Sequence, residues 1–316
     1  MPTGPYHAGE RTVQRRAGVE HIADRLTRSI GTSLPEAAKP FLEAQPQVFV
    51  GARAADGQVW AGVLPGEPGF VHALDARTIR IDALPAEHDP LRHGLTAQRV
   101  VGVGLLALEP PTRRRLRVNG TAEACDGGLL VRTAQVYANC PKYIQRRAPA
   151  HAGRPGTPVA ARCADRLGGD DIALIRRADT FVIATAALDG SADASHRGGS
   201  PGFVAVDGEQ LAFGDYAGNS MFNTLGNLEV NPHAGLLFVE PGTGDVLQLS
   251  GRAAVDWDPQ RAAEFPGAER VIDFVVHELV RADRAVPALG SLIERSPHNP
   301  PPPVVVSASN LTELKT

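Results

Sequence analysis

Hydrophobic positions along the chain fall into short runs separated by turn dipeptides. VFVGA (48–52), FVIATA (181–186), LLFVE (236–240) and VLQLSGRA (246–253) are rich in β-branched and apolar residues and too short for core helices. Asp56-Gly57, Asp126-Gly127, Asp189-Gly190 and Asp207-Gly208 read as hairpin turns, because Asp and Gly tolerate the positive φ that tight turns require. Thr243-Gly244 adds another. Antiparallel strands at this spacing predict a barrel or a sandwich. The first 45 residues differ. His21, Ile22, Arg25, Leu26 and Ile30 keep helical spacing, and Pro35 opens a second short helix through Phe41 and Leu42. Trp257-Asp258-Pro259 starts a further helical stretch, and RVIDFVVHELV (270–280) reads as a final strand.

The chain also repeats itself. Residues 48–71 align without a gap on residues 181–204, at an offset of 133, with 9 of 24 positions identical. Residues 104–122 align on 235–253 at an offset of 131, with 9 of 19 identical. The period is too long for a solenoid and fits duplication of a whole domain. The predicted organisation is a helical extension (1–45), a first β lobe (46–150), a linker (151–170), a second β lobe (171–290) and a proline-rich tail (291–316). HAGRPGTP (151–158) is linker by composition. The tail, from SPHNPPPP onward, reads as a linker with no fold of its own to join.

Composition adds exclusions. A formal net charge of -3 among 316 residues gives no electrostatic reason to expect nucleic acid or an acidic membrane as partner. Arg113-Arg114-Arg115 is short enough to be a solvated turn. No stretch approaches the roughly 18 apolar residues that span a bilayer, and the N-terminus lacks a signal-type apolar core, so a cytoplasmic location is expected. Cys125, Cys140 and Cys163 lie apart without metal-ligand spacing. Lys142 stands near Cys140, yet a buried structural cysteine is the expected reading. His88, Asp89 and His93 match no metal motif.

Duplication supplies an internal control, since positions polar in only one copy are candidates for function. Ser195, His196 and Arg197 replace Gly62, Val63 and Leu64 of the first copy. Followed by Gly198-Gly199, they read as a loop built to grip an anion. In GDYAGNSMFNTLGNLEVNP (214–232), a helix from about Asn219 to Val230 would put Asn219, Asn223 and Asn227 on one face. The first copy has His88, Arg92 and Thr96 at those positions. Gly218-Asn219-Ser220, at the expected helix start, would offer free backbone N–H groups to a phosphate.

At these residues the chain resembles the pyridoxamine 5'-phosphate oxidase-like proteins, the FMN-binding split barrels. ASHRGGSPGFV, DYAGNSMFNTLGNLEVNPHAGLLF and LQLSGRA carry the resemblance, with HAGE near the N-terminus and NCPKYIQ (139–145). It implies a mainly β protein with flanking helices (α+β), in which two split β-barrel lobes form an intrachain pseudo-dimer, with homodimers a further expectation. It implies FMN as cofactor, approached by Ser195, His196, Arg197, Asn219, Ser220, Asn223, Thr224 and Asn227. Lys142, Tyr143 and Asn139 would reach across from the first copy. The lysine that the family's oxidases carry near Asn223 and Thr224 is absent, and the residues that hold their pyridoxal phosphate have no clear counterpart. The resemblance therefore implies a flavin-dependent oxidoreductase with a small-molecule substrate and a reduced nicotinamide or reductase as electron donor, not that oxidase activity. The residues name no catalytic acid or base. A flavin-binding protein without turnover, or a haem- or deazaflavin-binding split barrel, is the alternative.

Overall fold

The computed structural model describes residues 4–97, 100–149 and 160–303. Of the predicted linker (151–170), residues 151–159 lie outside them, as do the last thirteen residues of the tail (304–316). The first lobe comprises β1 (Gln47–Arg53), β2 (Val59–Pro65), β3 (Val71–Ala73), β4 (Thr78–Ile81), β5 (Val101–Glu109), β6 (Arg114–Cys125) and β7 (Gly128–Ala138). After it come the short strands β8 (Arg146–Arg147) and β9 (Ala161–Ala164). The second lobe is β10 (Thr180–Ala186), β11 (Ala192–Gly198), β12 (Val204–Asp207), β13 (Gln210–Tyr216), β14 (His233–Val239), β15 (Val246–Asp256) and β16 (Ala268–Ala282), and β17 (Leu292–Glu294) follows. Helices are α1 (Ala8–Arg16), α2 (Glu20–Leu26), α3 (Ala38–Glu43), α4 (Leu91–Ala97), α5 (Gly169–Arg177), α6 (Asn223–Val230) and α7 (Pro259–Ala263).

The sequence repeat is a repeat of topology. One sheet runs β2-β1-β5-β6-β7-β4-β3 and the other β11-β10-β14-β15-β16-β13-β12, the same order strand for strand. Register agrees as well: Val50 faces Gly62 in the first lobe, and Ile183 faces Ser195 in the second. Even the β-bulge recurs, between Asn119 and Gly120 in β6 and between Ser250 and Gly251 in β15. Hairpin glycines 57, 127, 190, 208 and 244 all take positive φ, as the turn dipeptides predicted.

Each lobe is a split β-barrel with its own apolar core, and a third core lies between them. Phe49, Val59, Ala61, Val63 and Leu106 from the first lobe pack on Val182, Ala184, Ala192, Ala194 and Leu237 from the second. Two equivalent glycines set the approach. A Cβ on Gly104 would lie 2.5 Å from Asp193 Cα, and one on Gly235 would lie 2.6 Å from Trp60 Cα. Residues 60 and 193, like 104 and 235, are counterparts in the repeat, so each lobe offers the other the same surface. This is the isologous contact of a two-fold dimer, built inside one chain.

Several expectations are revised at the ends of the chain. The helical extension begins with α1, ahead of the spacing that starts at His21; its apolar content is low, and tertiary contacts hold it. His7 Nδ1 accepts from Gly9 N (3.1 Å) and Glu10 Oε2 accepts from His7 N (2.7 Å), a capping box that accounts for the HAGE motif. A Cβ on Gly226 would sit 2.6 Å from Glu10 Cα, which is how closely α1 lies on α6. The described part of the tail is not a free linker. β17 pairs with β8, and Gln145 Oε1 accepts from Ser296 N and Asn299 Nδ2, both at 2.9 Å. The NCPKYIQ segment thus ties the tail to both lobes.

Candidate functional site

A cleft of about 420 Å³ opens between the lobes, within the range of small-molecule sites. From the first lobe it is lined by Arg115 and Arg117 of β6 and by Asn139, Cys140 and Tyr143 of the following segment. The second lobe contributes β11, the end of β13, the loop 217–220, the start of α6, and Glu269 and Arg270 of β16. Of the residues singled out by sequence, Ser195, His196, Arg197, Asn219, Ser220, Asn223, Thr224, Asn139 and Tyr143 line this cleft. Asn227 and Lys142 do not.

Residues 195–198 are not the predicted loop but the end of edge strand β11, so their side chains alternate. Ser195 and Arg197 lie opposite Ile183 and Phe181, on the side of the second core. His196 lies opposite Val182, toward the interface between lobes. Arg197 Nη1 donates to Asp215 Oδ1 (2.8 Å), and Arg270 Nε donates to Asp215 Oδ2 (3.1 Å).

His196 is 6% exposed, and its Nδ1 is 3.1 Å from Arg115 Nη1. Arginine has only donors, so Nδ1 must be the acceptor and Nε2 carries the proton. Burial, then the charges of Arg115 and Arg197, hold the ring well below the ordinary histidine range, so it is neutral. Burial and the neighbouring Arg117 likewise lower Arg115, to about 10. Arg117 is buried in an ion pair with Asp193, whose carboxylate also takes Asn119 Nδ2 and Thr224 Oγ1, both at 3.4 Å. Burial, then Tyr143, raises Tyr216 to about 12, and the two rings stand 5.6 Å apart.

The predicted asparagine ladder has a different geometry. Ser220 and Phe222 take left-handed backbone (φ 58° and 62°), so the helix starts at Asn223, four residues later than expected. Asn219 Oδ1 instead accepts from Met221 N (3.0 Å) within the loop. Asn223 and Asn227 are both buried and engaged by protein groups. Asn223 Nδ2 donates to Glu10 Oε1 (2.6 Å) and its Oδ1 accepts from Tyr137 OH (3.2 Å). Asn227 Oδ1 accepts from His7 Nε2 (2.9 Å) and its Nδ2 donates to Thr185 Oγ1 (3.0 Å).

Two further expectations are corrected. Cys140 is exposed at the cleft, not buried, because it follows the end of β7 in the segment that crosses to the second lobe. The arginine run is not merely solvated. Arg113 Nε donates to Ile144 O (3.0 Å), Arg114 lies over the Phe41 ring (4.8 Å), and Arg115 reaches the cleft. Arg115 and Arg117 were missed; the copies held the signal for Arg115, whose counterpart is Val246, but not for Arg117, whose counterpart is the polar Gln248. Arg115, polar only in the first copy, points to the same cleft as the residues polar only in the second.

Hydrogen bonding is least complete here. Among the described residues, the buried atoms without a partner include Arg115 Nε, Arg117 Nε, Arg197 Nε, His196 Nε2, Asn139 Oδ1 and Tyr216 OH, and all six residues line this cleft. Buried polar groups are ordinarily paired. At the pseudo-symmetric position the structure is filled. Val63, Leu64 and Val246 are buried, and a Cβ on Gly62 would meet Asp89 Oδ2 at 2.9 Å. Gln248 Nε2 is satisfied by Ala61 O (3.0 Å).

Fold and cleft together define an intrachain pair of split barrels with a polar site between them. Residues 172–297, about two fifths of the chain, match the family described as pyridoxamine 5'-phosphate oxidase. No curated protein matches the chain. Similar solved structures include HupZ of Group A Streptococcus, at 14% identity over 36% of this chain and 91% of that one (TM-score 0.31). A FAD-binding protein from Mesorhizobium loti is similar at 12% identity over 39% of this chain and 97% of that one (TM-score 0.30). No described helix is long and apolar enough to cross a membrane, and no group of metal-ligating side chains occurs among the described residues.

Proposed function

We propose that the cleft binds FMN and that the chain is a flavin-dependent oxidoreductase. The observation that carries this reading is the convergence of unpartnered buried donors, three arginine Nε groups and the His196 Nε2–H, on one cleft. Arg117 is matched by Asp193, and Arg197 and Arg270 by Asp215 and Glu269, while Arg115 faces a neutral imidazole. The cleft therefore keeps cationic capacity for a phosphate, and the start of α6 adds its helix dipole. Tyr143 and Tyr216, tilted by 35° to each other, give an aromatic side to the cleft against which a ring system can pack.

Bound flavin would supply the redox chemistry, accepting a hydride or electrons from a reduced nicotinamide or flavin for transfer to a small organic acceptor or oxygen. The protein's own part is to bind and orient. Arg115, Arg117, Arg197 and His196 would hold the anionic end, and Asn139 and Ser195 would take polar groups of the chain. Coordination of haem iron by His196 is disfavoured. Ligation needs the Nε2 lone pair, which would move the ring proton onto Nδ1 against the Arg115 guanidinium.

The test is to purify the protein, release any small molecule by denaturation, identify it by mass, and add reduced nicotinamide to the FMN-loaded protein. Released or rebound FMN with steady nicotinamide oxidation is expected. Binding without oxidation reduces the reading to a flavin carrier, and failure to bind FMN at micromolar concentration refutes it.

A further inference from the structure

On the side away from the cleft, the Asn223 amide contacts a carboxyl that the binding residues do not explain. Glu10 is 2% exposed, on a helix outside both barrels, and is hydrogen-bonded to the cleft wall through Asn223. We infer that the cleft takes up its anion together with one proton, held on Glu10 at the end of a hydrogen-bond chain running Glu10–Asn223–Tyr137–Asp193. This rests on the reading of the cleft as an anion site.

The chain has two self-consistent directions. With Glu10 ionised, Asn223 Nδ2 donates to Oε1 and Tyr137 OH donates to Asn223 Oδ1. With Glu10 protonated at Oε1, the Asn223 amide turns over. Oε1–H then donates to Oδ1, Nδ2 donates to the tyrosine oxygen, and Tyr137 OH donates to Asp193 Oδ1, already 3.5 Å away. Oε2 keeps its bond from His7 N in both states, so the α1 cap survives the proton's arrival. Each link of the chain pairs one donor with one acceptor in both states, which is what a buried network needs to be bistable. A second cavity of about 650 Å³ is lined by Glu10, Asp193 and Asn223 among others, giving the carboxyl a side through which to exchange its proton.

The ionic groups around Glu10 set the sign of the coupling. His7 on its own helix stands 3.7 Å from Oε2, Arg117 comes from β6, Tyr137 from β7, Asp193 from β11, and Asn223 from α6. Burial, opposed by the His7 N–H bond and reinforced by Asp193, pushes the carboxyl up to about 8. Asp193 already neutralises Arg117. A charged Glu10 would place a second anion beside that guanidinium and compete with a phosphate arriving from the cleft. A neutral Glu10 leaves the cation to the phosphate. Anion binding therefore raises proton affinity at Glu10, and by linkage protonation tightens anion binding.

The experiment is titration calorimetry at pH 8.5 in two buffers of different ionisation enthalpy. FMN and, separately, inorganic phosphate are added to the wild type and to Glu10→Gln. Uptake of about half a proton or more per anion is expected in the wild type, and none in the variant. Wild-type affinity should fall by up to about tenfold per pH unit above 8, and variant affinity should stay level. Binding of either anion with equal proton uptake in both proteins overturns the proposal and leaves the flavin reading standing. Phosphate binding with uptake, but no FMN binding, keeps the proposal and removes the flavin. Failure of both anions to bind removes both. If Glu10→Gln does not fold, the wild type decides by infrared spectroscopy. A protonated-carboxyl band lost as pH rises through about 8, with its midpoint moved up by the anion, supports the coupling. A midpoint that does not move overturns it.

Discussion

Asp193→Asn tests the electrostatics of the cleft most sharply. The residue is 1% exposed, and its carboxylate is the ion-pair partner of buried Arg117, so the substitution leaves a guanidinium without its counter-charge. Removing one member of a buried pair costs about 3–5 kcal/mol. The carboxamide keeps an oxygen toward Arg117, which puts the expectation near the lower end, about 3 kcal/mol. With a urea dependence of about 3 kcal/mol per molar, the unfolding midpoint should fall by about 1 M. Glu10 can partly replace the lost charge, because Asp193 is one of the groups that keep it protonated. The loss should therefore be larger at pH 6 than at pH 8.5, where an ionised Glu10 can pair with Arg117. Phosphate should bind the variant more tightly than the wild type, since Arg117 is left free. Urea unfolding at both pH values, followed by a phosphate titration, measures all three. A loss under about 1 kcal/mol with unchanged phosphate affinity would refute the assignment of Arg117 and Asp193 to one buried pair at the cleft wall.

Other outcomes follow from the same geometry. Arg197→Ala and Asn223→Ala should each weaken FMN retention, read by equilibrium dialysis. Leu64→Ala, the counterpart of the first in the filled site, should leave retention unchanged and cost about 2–5 kcal/mol in urea unfolding. Gly226→Ala should cost about 1–3 kcal/mol and expose α1 to proteolysis, because its Cβ would overlap the Glu10 backbone. Glu10→Gln should flatten the pH dependence of stability. The wild-type carboxyl is raised from 4.5 to about 8, so its stabilising contribution is complete below pH 4.5 and is lost as pH rises through 8. Thermal unfolding between pH 5 and 9 should show the wild type losing ground to the variant over that window.

The duplicated β architecture was legible because its signals are local. Asp-Gly turns fix hairpins by backbone conformation, and the two sequence blocks that match are strands in matching register. The helical character of the N-terminal extension was legible, but the place of α1 was not, since it is set by a cap and by the Gly9–Gly226 approach. Ser195-His196-Arg197 looked like a loop because three consecutive polar residues break the period of two. An edge strand between two lobes can be polar on both faces, one meeting Asp215 and the other Arg115. Asparagines 223 and 227 drew attention by sharing one helix face, and asparagine, a poor helix former, has another use at each. For Asn227 that use is α1, and for Asn223 it is α1 and the cleft wall together. Arg115 and Arg117 were hidden inside and beside a run that composition reads as solvent-facing.

What the account depends on is inequality between two related halves: one position between the barrels is open and rich in unpaired donors, its pseudo-symmetric mate packed with side chains. Native mass spectrometry of the chain equilibrated with excess FMN measures this directly. One FMN per chain is predicted, falling to none in Arg197→Ala and staying at one in Leu64→Ala. Two per chain, or one that survives Arg197→Ala undiminished, would contradict it.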